Sequence, residues 1–138
     1  DGLQGTILSI KLKKIDNWTK KRRWVAKNYN RFICESIEKT FEIKNRYHVF
    51  HIYSIFHEDR DTLQSFLGSK GIQTGNHYPI PCHLQNAYLN LGYKKGDLPI
   101  TEKIARTQIS LPIYPELSLD NIKLISDNIN IWLKKLNK

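Results

Sequence analysis

Residues 77–85, His-Tyr-Pro-Ile-Pro-Cys-His-Leu-Gln, hold the densest group of side chains that could do chemistry. Each proline pushes the preceding residue out of helical backbone space, so the segment is predicted to be a stiff, extended loop. The loop would present His77, Tyr78 and His83, which donate and accept hydrogen bonds as a sugar or another hydroxyl-rich ligand requires. The alternative interpretation is that Tyr78 packs into the protein while the histidines lie in water.

The other reactive side chains give little support to a self-contained catalyst. The five histidines and two cysteines show no metal-ligand spacing of the Cys-x-x-Cys type, so no metal site is predicted. His48 and His51 lie three apart in a predicted strand and would face opposite ways. No serine lies in a Gly-x-Ser-x-Gly context, and no phosphate-binding glycine loop occurs. The residues alone therefore predict a domain that helps to bind a ligand.

Apolar spacing and turn residues predict the elements that position this loop. Residues 3–33 predict two helices in series, with a break near Lys14–Asn17 and Asp16 as the N-cap of the second helix. The β-branched and aromatic run 47–56 predicts a buried strand. Later helices are predicted over residues 59–70, over 82–91, from Pro99, and from Ser118 or Asp120 to about Leu136. Short strands are predicted over 72–74 and 109–113. The second of these strands is expected at a sheet edge, because Pro112 cannot donate a backbone hydrogen bond.

This order of elements predicts an α+β fold. It has a small sheet of about three strands with helices on one face, preceded by a long two-helix N-terminal arm. Within one domain, the arm is expected to span residues 1–45 and the sandwich residues 46–138. The arm is amphipathic and needs a surface to lie against, and the rest of the chain is too small to cover all of it.

The composition is that of a globular domain. The chain has 138 residues, of which 40% are apolar and 25% charged, which excludes disorder and collagen-like repeats. No run approaches the roughly 20 apolar residues of a membrane helix, and no secretory signal is recognisable. The widely separated Cys34 and Cys82 predict reduced thiols in a cytoplasmic protein. The absence of Met and a start already in helical pattern predict a segment of a longer protein.

The chain is basic, with a formal net charge of +9. Residues 1–40 hold ten Lys or Arg against four Asp or Glu, and the stretch Lys20–Arg23 could contact the phosphates of a nucleic acid. A solvated helix face is the favoured interpretation, because the charge is spread along the helices. A non-catalytic binding or regulatory module that uses these helices on nucleic acid stays as the alternative function.

Several spaced motifs in order resemble the DegT-type sugar-nucleotide aminotransferases. The resemblance spans essentially the whole chain and implies the C-terminal small domain of a fold-type I pyridoxal-phosphate enzyme of the aspartate-aminotransferase superfamily. The matching residues are His48 to Ile55, Asp59-Arg60-Asp61 with Leu63, Gly71-Ile72 with Thr74, His77 to Pro81, His83, Gln85, Ala87-Tyr88, Leu91-Gly92-Tyr93, Gly96 to Pro99, Glu102, and Leu111 to Pro115.

The resemblance implies a reaction and its partners. Such enzymes transfer an amino group, usually from glutamate, to a nucleotide-linked keto-sugar for polysaccharide or antibiotic-sugar synthesis. They are typically homodimers with active sites at the subunit interface. Pyridoxal phosphate is thus expected in the complete enzyme but not on this chain alone, because the large domain that carries the family's cofactor-binding lysine has no counterpart here. The missing large domain, or a separate chain that carries it, is the expected partner.

The site residues that the resemblance implies lie in the substrate loop. His77 and Tyr78 match the family's loop that reaches toward the active site, and His83 lies just beyond it, so all three are predicted to contact the substrate. His51 is a weaker candidate, because a histidine in a buried strand is more often a satisfied core residue. No catalytic, cofactor-binding or metal-ligating residue is predicted within the chain, which alone should be inactive, as a fragment or half of a split enzyme.

Overall fold

The computed structural model describes residues 1–136, and two helices open the chain. Helix α1 spans Gly2–Leu12 and helix α2 spans Ile15–Phe32. The predicted break between the helices is confirmed. The cap is not as predicted, because Lys14 occupies the N-cap of α2. Asp16 lies instead in the first turn of α2, where a carboxylate stabilises the positive end of the helix dipole.

The sheet has three strands, the number that the sequence predicted, and the structure shows that they are antiparallel. Strand β1 is Glu38–Lys39, β2 is Tyr53–Phe56 and β3 is Gln108–Leu111, and they lie in the order β1-β2-β3. Strand β1 was not predicted, because two polar residues carry no strand pattern. It lies within the predicted arm yet pairs with β2, so the chain between α2 and β2 contributes to the sheet.

Alternate residues of β2 and β3 point to opposite faces of the sheet. On one face, Tyr53 is paired with Leu111 and Ile55 with Ile109, and all four side chains are buried. Helix α2, helix α3 (Arg60–Ser69) and helix α5 (Leu119–Leu136) supply most of the rest of this core. They contribute Val25, Ala26 and Tyr29 from α2, Leu63 and Leu67 from α3, and Ile122, Ile125, Ile129, Trp132 and Leu133 from α5. The second face of the sheet carries polar side chains.

The later helices begin and end close to the predicted positions. Helix α3 spans Arg60–Ser69 and ends before Gly71, whose φ of +74° is the left-handed conformation that glycine adopts readily. Helix α4 spans Pro99–Thr107 and has its proline in the first turn. Helix α5 spans Leu119–Leu136, and the hydroxyl of Ser118 accepts the N–H of Asn121 at 3.2 Å, so Ser118 is the cap.

Three predicted elements differ in the structure. The predicted strand over 47–56 forms only at its last four residues, because Phe50 has a φ of +48° and the preceding backbone bends onto α2. The predicted strand over 72–74 is replaced by an isolated bridge between Gly75 and Ser110. The predicted helix over 82–91 forms two 3₁₀ segments, Cys82–Leu84 and Asn86–Leu91, which end at Gly92 as expected.

The two helices of the N-terminal arm differ in how they are covered. Helix α2 buries Val25, Ala26 and Tyr29 against the sheet and α5, so the chain covers one of the two helices and not the whole arm, as the sequence predicted. Helix α1 buries none of its residues within the described chain, and Leu3 is 74% exposed. Within residues 1–136, no helix is both long enough and apolar enough to cross a membrane.

Candidate substrate loop on the polar face of the sheet

The loop that begins at Gly75 is attached to the outer edge of β3. The N–H of Gly75 donates to the carbonyl of Ser110 at 3.1 Å, and the N–H of Ser110 donates to the carbonyl of Gly75 at 2.7 Å. Two residues later, the N–H of His77 donates to Oε1 of Gln108 at 2.9 Å. Three hydrogen bonds therefore fix the path of the backbone into the His77–Tyr78 pair.

The imidazole of His77 is fixed by the same strand. Its Nδ1 lies 2.8 Å from Oγ of Ser110. Gln108 donates from Nε2 to Oγ of Ser110 at 2.5 Å and to Oγ of Ser54 at 2.7 Å. Gln108, Ser110 and Ser54 are buried on the polar face of the sheet, and we call these three residues the polar triad. An unpaired buried polar group is costly, so a different arrangement of these side chains that lost one of the hydrogen bonds would be less stable.

The positions of His77 and Tyr78 fit residues that contact a ligand outside this chain. Both residues are exposed, Tyr78 by 71%. The two rings lie edge to face with centroids 5.4 Å apart. The predicted alternative, in which Tyr78 packs into the protein, is wrong. An exposed aromatic ring beside a well-fixed imidazole offers both a stacking surface and a hydrogen-bonding group.

His83 lies inside the protein rather than on the loop surface. It is 6% exposed, and its Nε2 lies 3.1 Å from Oε1 of Glu102. The carboxylate of Glu102 also accepts the N–H of Gly96 at 2.8 Å and that of Leu98 at 3.4 Å. The hydrogen bond from Gly96, followed by those from His83 and Leu98, lowers the pKa of Glu102. These hydrogen bonds connect the first 3₁₀ segment, which contains His83, to the turn before α4.

His51 does not occupy the position that the sequence predicted. It is exposed and lies in a bend before β2, because the predicted strand begins only at Tyr53. It is therefore not a satisfied core histidine. Among the described residues, His51 makes no hydrogen bond to the loop that carries His77 and Tyr78, whereas Gln108 and Ser110 of the polar triad both do.

A groove of about 460 Å³ opens beside the prolines of the loop. Its lining includes four cationic side chains against one carboxylate. Two of the cations already have partners, because Arg60 lies 2.5 Å from Asp61 and Arg106 pairs with Glu58. Lys95 and Lys103 complete the cationic set, and Pro79, Pro81, Leu84, Pro99, Ala105 and Glu102 also line the groove. The surplus of positive charge favours an anionic group at this end of the loop.

A second groove, of about 430 Å³, lies between α2 and the segment before β2. Its main cation, Arg23, is bound by both carboxylate oxygens of Glu42 and donates to the carbonyl of His48 at 2.6 Å. The hydrogen bond from Arg23 is the main cause of a lowered pKa of Glu42. These groups satisfy each other, so the groove is explained by the attachment of the segment to α2.

The polar triad was missed by the sequence analysis, although a signal was present. Gln108 and Ser110 alternate with apolar residues along β3, which places both on one face of the strand. Neither Ser54 nor Ser110 lies in a motif for nucleophilic catalysis, so the context of the serines alone predicts no role for them. The register between β2 and β3, which puts Ser54 opposite Ser110, is set by tertiary pairing and cannot be read from either strand alone.

A comparison with known protein families decides what this arrangement belongs to. The profile of the DegT/DnrJ/EryC1/StrS aminotransferases matches residues 1–130. The chain belongs to this family. The resemblance predicted from the motifs is thereby confirmed, and so is the α+β fold of a fold-type I aminotransferase, because the structural relatives share it.

Individual relatives show how much of the family's length is present. The chain is 42% identical over 133 residues to a "Pleiotropic regulatory protein" of Geobacillus stearothermophilus, covering 94% of this chain and 36% of that protein. It is 31% identical over 140 residues to the "dTDP-3-amino-3,4,6-trideoxy-alpha-D-glucose transaminase" of Streptomyces venezuelae, covering 100% and 37%. The crystal structure of S. venezuelae DesV superimposes with a TM-score of 0.88 at 33% identity, covering 91% and 34%. The chain therefore spans about a third of the length of the relatives it matches.

Pyridoxal phosphate is the cofactor of this family, and the lysines of the described chain do not fit its covalent attachment. A lysine that binds this cofactor needs burial or a neighbouring cation to lower its pKa. Every lysine among residues 1–136 is exposed except Lys39. The ammonium of Lys39 donates to the carbonyls of Ile33 and Cys34 at 2.9 and 3.1 Å, at the C-terminal end of α2. Its contacts are those of a helix cap.

The structure also bears on the metal alternative. Among the described residues, no group of three or more His, Cys, Asp or Glu side chains is arranged to hold a metal ion. Cys34 and Cys82 are free thiols, and Sγ of Cys34 lies 3.0 Å from the hydroxyl oxygen of Ser36.

Proposed function

We propose that this chain is the C-terminal part of an aminotransferase that moves an amino group from an amino acid, glutamate by preference, to a nucleotide-linked keto-sugar. The observation that carries the proposal is the His77–Tyr78 pair, exposed on a loop that β3 holds in place, in a chain whose family is that of the sugar aminotransferases. The chain alone is proposed to be inactive, as a fragment or as half of a split enzyme.

In this proposal His77 and Tyr78 position the substrate. The imidazole offers a hydrogen bond and the phenol ring a stacking surface, which together would orient a sugar or a base of the substrate. The cationic groove beside the loop supports an anionic substrate such as a nucleotide sugar. Direct contact of His83 with substrate stays a prediction. Its burial favours an indirect role, in which it holds the shape of the loop through Glu102.

The proposal requires the large domain, or a separate chain that carries it, to supply the remaining two thirds of the enzyme. Pyridoxal phosphate, held by that domain, would supply the electron sink that amino transfer needs. The exposed apolar side chains of α1 support such a partner, because a helix with no buried residue lacks its stabilising surface. A homodimer of the complete enzyme and a cytoplasmic location, where nucleotide sugars are substrates, complete the proposal.

The first test examines the chain by itself. The purified chain is incubated with pyridoxal phosphate, reduced with borohydride, and mapped by mass spectrometry for modified lysines. Scattered labelling below one equivalent is expected, since every lysine of the described chain except Lys39 is exposed and none lies in a buried site. Stoichiometric labelling of a single lysine would mean that the chain builds its own cofactor site and would contradict its proposed dependence on a partner.

The second test asks whether the chain supplies an aminotransferase function. The aligned segment of the S. venezuelae transaminase is replaced by this chain, and amino transfer to that enzyme's own keto-sugar is measured. The chimera is expected to be active, and the variant His77→Ala to lose activity while retaining bound cofactor. A chimera that folds, binds pyridoxal phosphate and transfers no amino group to any of a panel of nucleotide keto-sugars would overturn the proposal.

A regulatory module that binds nucleic acid remains as a second candidate, favoured by the basic α2 and by the relative from Geobacillus stearothermophilus, which is called a "Pleiotropic regulatory protein". The structure uses two of its cations internally, because Arg22 donates to Val49 and Arg23 pairs with Glu42. Lys20 and Lys21 remain exposed.

Duplex DNA binding across a salt series tests this candidate. Binding through α2 predicts a steep salt dependence that is reduced in Lys20→Ala/Lys21→Ala and unchanged in the matched variant Lys134→Ala/Lys135→Ala on α5. Weak binding that responds equally to both double variants would remove the candidate.

A further inference from the structure

The hydrogen bonds around His77 favour one arrangement of hydrogen atoms, in which every observed contact of the polar triad pairs a donor with an acceptor. The amide of Gln108 is oriented by the backbone N–H of His77, which donates to its Oε1. Its amino group therefore uses both hydrogens, one toward Ser54 and one toward Ser110. If the oxygen and nitrogen of the Gln108 amide changed places, its amino group would face the backbone N–H of His77. Two donors would then meet, so this contact excludes the exchanged orientation.

The hydroxyl of Ser110 then has one hydrogen left to donate. Its oxygen already accepts from Gln108, and the acceptor within reach among the described residues is Nδ1 of His77 at 2.8 Å. A hydrogen bond from Ser110 to Nδ1 requires that this nitrogen carry no hydrogen. The neutral imidazole must then carry its hydrogen on Nε2, the nitrogen that makes no hydrogen bond with the described residues.

We propose that Ser110 and Gln108 are positioning residues that fix the tautomer and orientation of His77, so that Nε2–H is presented as a hydrogen-bond donor to an acceptor oxygen of the substrate. The role in substrate binding rests on the proposed function, whereas the tautomer is a property of the chain itself. An acceptor oxygen in a nucleotide sugar is a phosphate, hydroxyl or carbonyl oxygen. In this state His77 binds and orients but takes no proton from the substrate, because its outward nitrogen is already protonated.

The first experiment measures the tautomer without any ligand. The chain is labelled with ¹⁵N-histidine, and the two ring nitrogens of His77 are assigned by comparison with His77→Gln. The expected spectrum shows Nδ1 unprotonated and Nε2 protonated. Ser110→Ala should allow a mixture of tautomers, Ser110→Thr should restore the single form, and the matched control Ser65→Ala, an exposed serine on α3, should leave the spectrum of His77 unchanged.

Two results of that experiment overturn the proposal. The first is a wild-type His77 with its hydrogen on Nδ1, which needs no variant and is decisive even if Ser110→Ala fails to fold. The second is a folded Ser110→Ala whose His77 resonances match the wild type. Neither result depends on catalysis, so a failure here leaves the proposed function untouched.

The second experiment measures the consequence for the reaction in the chimera described above. Ser110→Ala is expected to raise KM by about fivefold with little change in kcat, because one hydrogen bond that serves binding is weakened. His77→Gln, which keeps a donor N–H, should retain more activity than His77→Ala. A loss of kcat in His77→Gln as deep as in His77→Ala would show that the ring exchanges a proton and would overturn the donor role. An inactive chimera with the expected tautomer would reject the proposed function alone.

Discussion

Gly75 lies where the backbone passes closest to the ring of His77. A Cβ added at this position would lie 3.2 Å from Cε1 of His77, tighter than most side-chain contacts, while the backbone of Gly75 has no positive φ that would exclude alanine. The absence of a side chain at Gly75 therefore leaves room for the imidazole in its observed position. Gly75 thus begins the loop and also lies against the ring of His77, which the loop exposes.

Gly75→Ala is expected to displace His77 without unfolding the chain. The ring must shift by a few tenths of an ångström, which disturbs its hydrogen bond with Ser110. Histidine NMR should show the altered ring, while the free energy of unfolding falls by about 1 kcal/mol or less. The control Gly68→Ala has open space on α3 and should leave His77 unchanged. An unchanged His77 spectrum in Gly75→Ala would show that the ring is not held against this backbone.

Glu102 makes a pH-dependent contribution to the loop. Its pKa is lowered below the ordinary 4.5, mainly by the backbone of Gly96 and also by the facing His83. A carboxylate with a lowered pKa in the folded state stabilises the protein above about pH 4.5 and loses this contribution as the pH falls through the lowered value. The destabilisation that Glu102→Gln causes near neutral pH should therefore shrink below pH 4.5.

Urea unfolding at a series of pH values measures this difference. Glu116→Gln is the matched control, since Glu116 is exposed and makes no hydrogen bond with the described residues. Its difference from wild type should be small at every pH. A Glu102→Gln difference that stays constant from pH 7 to pH 3 would show that the carboxylate charge does not support the turn.

Residue types predicted the loop, but not which of its histidines would face outward. His77 and His83 stand in similar sequence contexts beside prolines, and the structure exposes the first and buries the second. The partner of His83 is Glu102, nineteen residues away, and that of His77 is Ser110, thirty-three residues away. Contacts across such distances are set by the packing of β3 and α4, which no local pattern encodes.

At the scale of elements, α2 is attached to the sheet through two buried tyrosines. The rings of Tyr29 and Tyr53 stack with centroids 5.0 Å apart. The hydroxyl of Tyr29 donates to the carbonyl of Pro112 at 2.8 Å, and that of Tyr53 donates to Oδ1 of Asn30 at 2.5 Å. Burial raises the pKa of both phenols, since an ionised phenol would lose its hydration. The pair therefore joins α2 to β2 and to the end of β3.

Tyr29→Phe tests this attachment. The variant leaves the carbonyl of Pro112 without its donor and should lower the free energy of unfolding by about 1 kcal/mol near neutral pH. A raised pKa in the folded state means that wild-type stability declines as the pH rises above the ordinary 10.0, so the deficit of the variant should shrink there. Tyr78→Phe, on the exposed loop, is the control and should change stability by less than about 0.5 kcal/mol. Equal effects of the two variants would exclude an anchoring role for Tyr29.

The elements that the sequence predicted well are those whose signal is local. The proline at the start of α4 and the glycine after α3 mark helix ends by their backbone preferences alone. The segment before β2 was predicted wrongly because Arg22 and Arg23 of α2 bind its carbonyl groups at Val49 and His48. Those contacts replace the ladder bonds that an extended strand would make, and they depend on the docking of a distant helix.

At the scale of the whole molecule, the net charge of +9 and the apolar surface of α1 have opposite effects on self-association. The exposed leucines and isoleucines of this helix favour association, and the repulsion between like-charged chains disfavours it. Salt weakens only the repulsion, because the Debye length falls from about 10 Å at 0.1 M to about 3 Å at 1 M. Added salt should therefore strengthen self-association through α1, whereas it would weaken the binding of the arm to nucleic acid.

We accordingly expect the isolated chain to associate more strongly as salt is added. Sedimentation velocity at several protein concentrations should show a larger associated fraction at 1 M than at 0.1 M salt, a range over which repulsion is screened. Leu8→Lys removes apolar surface and adds one positive charge, whereas Ser9→Lys adds the same charge on the same helix. Only the former should abolish the salt-induced association, because the apolar side chain at position 8 is 65% exposed. Equal loss in both variants would mean that charge alone governs association and that the apolar surface of α1 does not drive it.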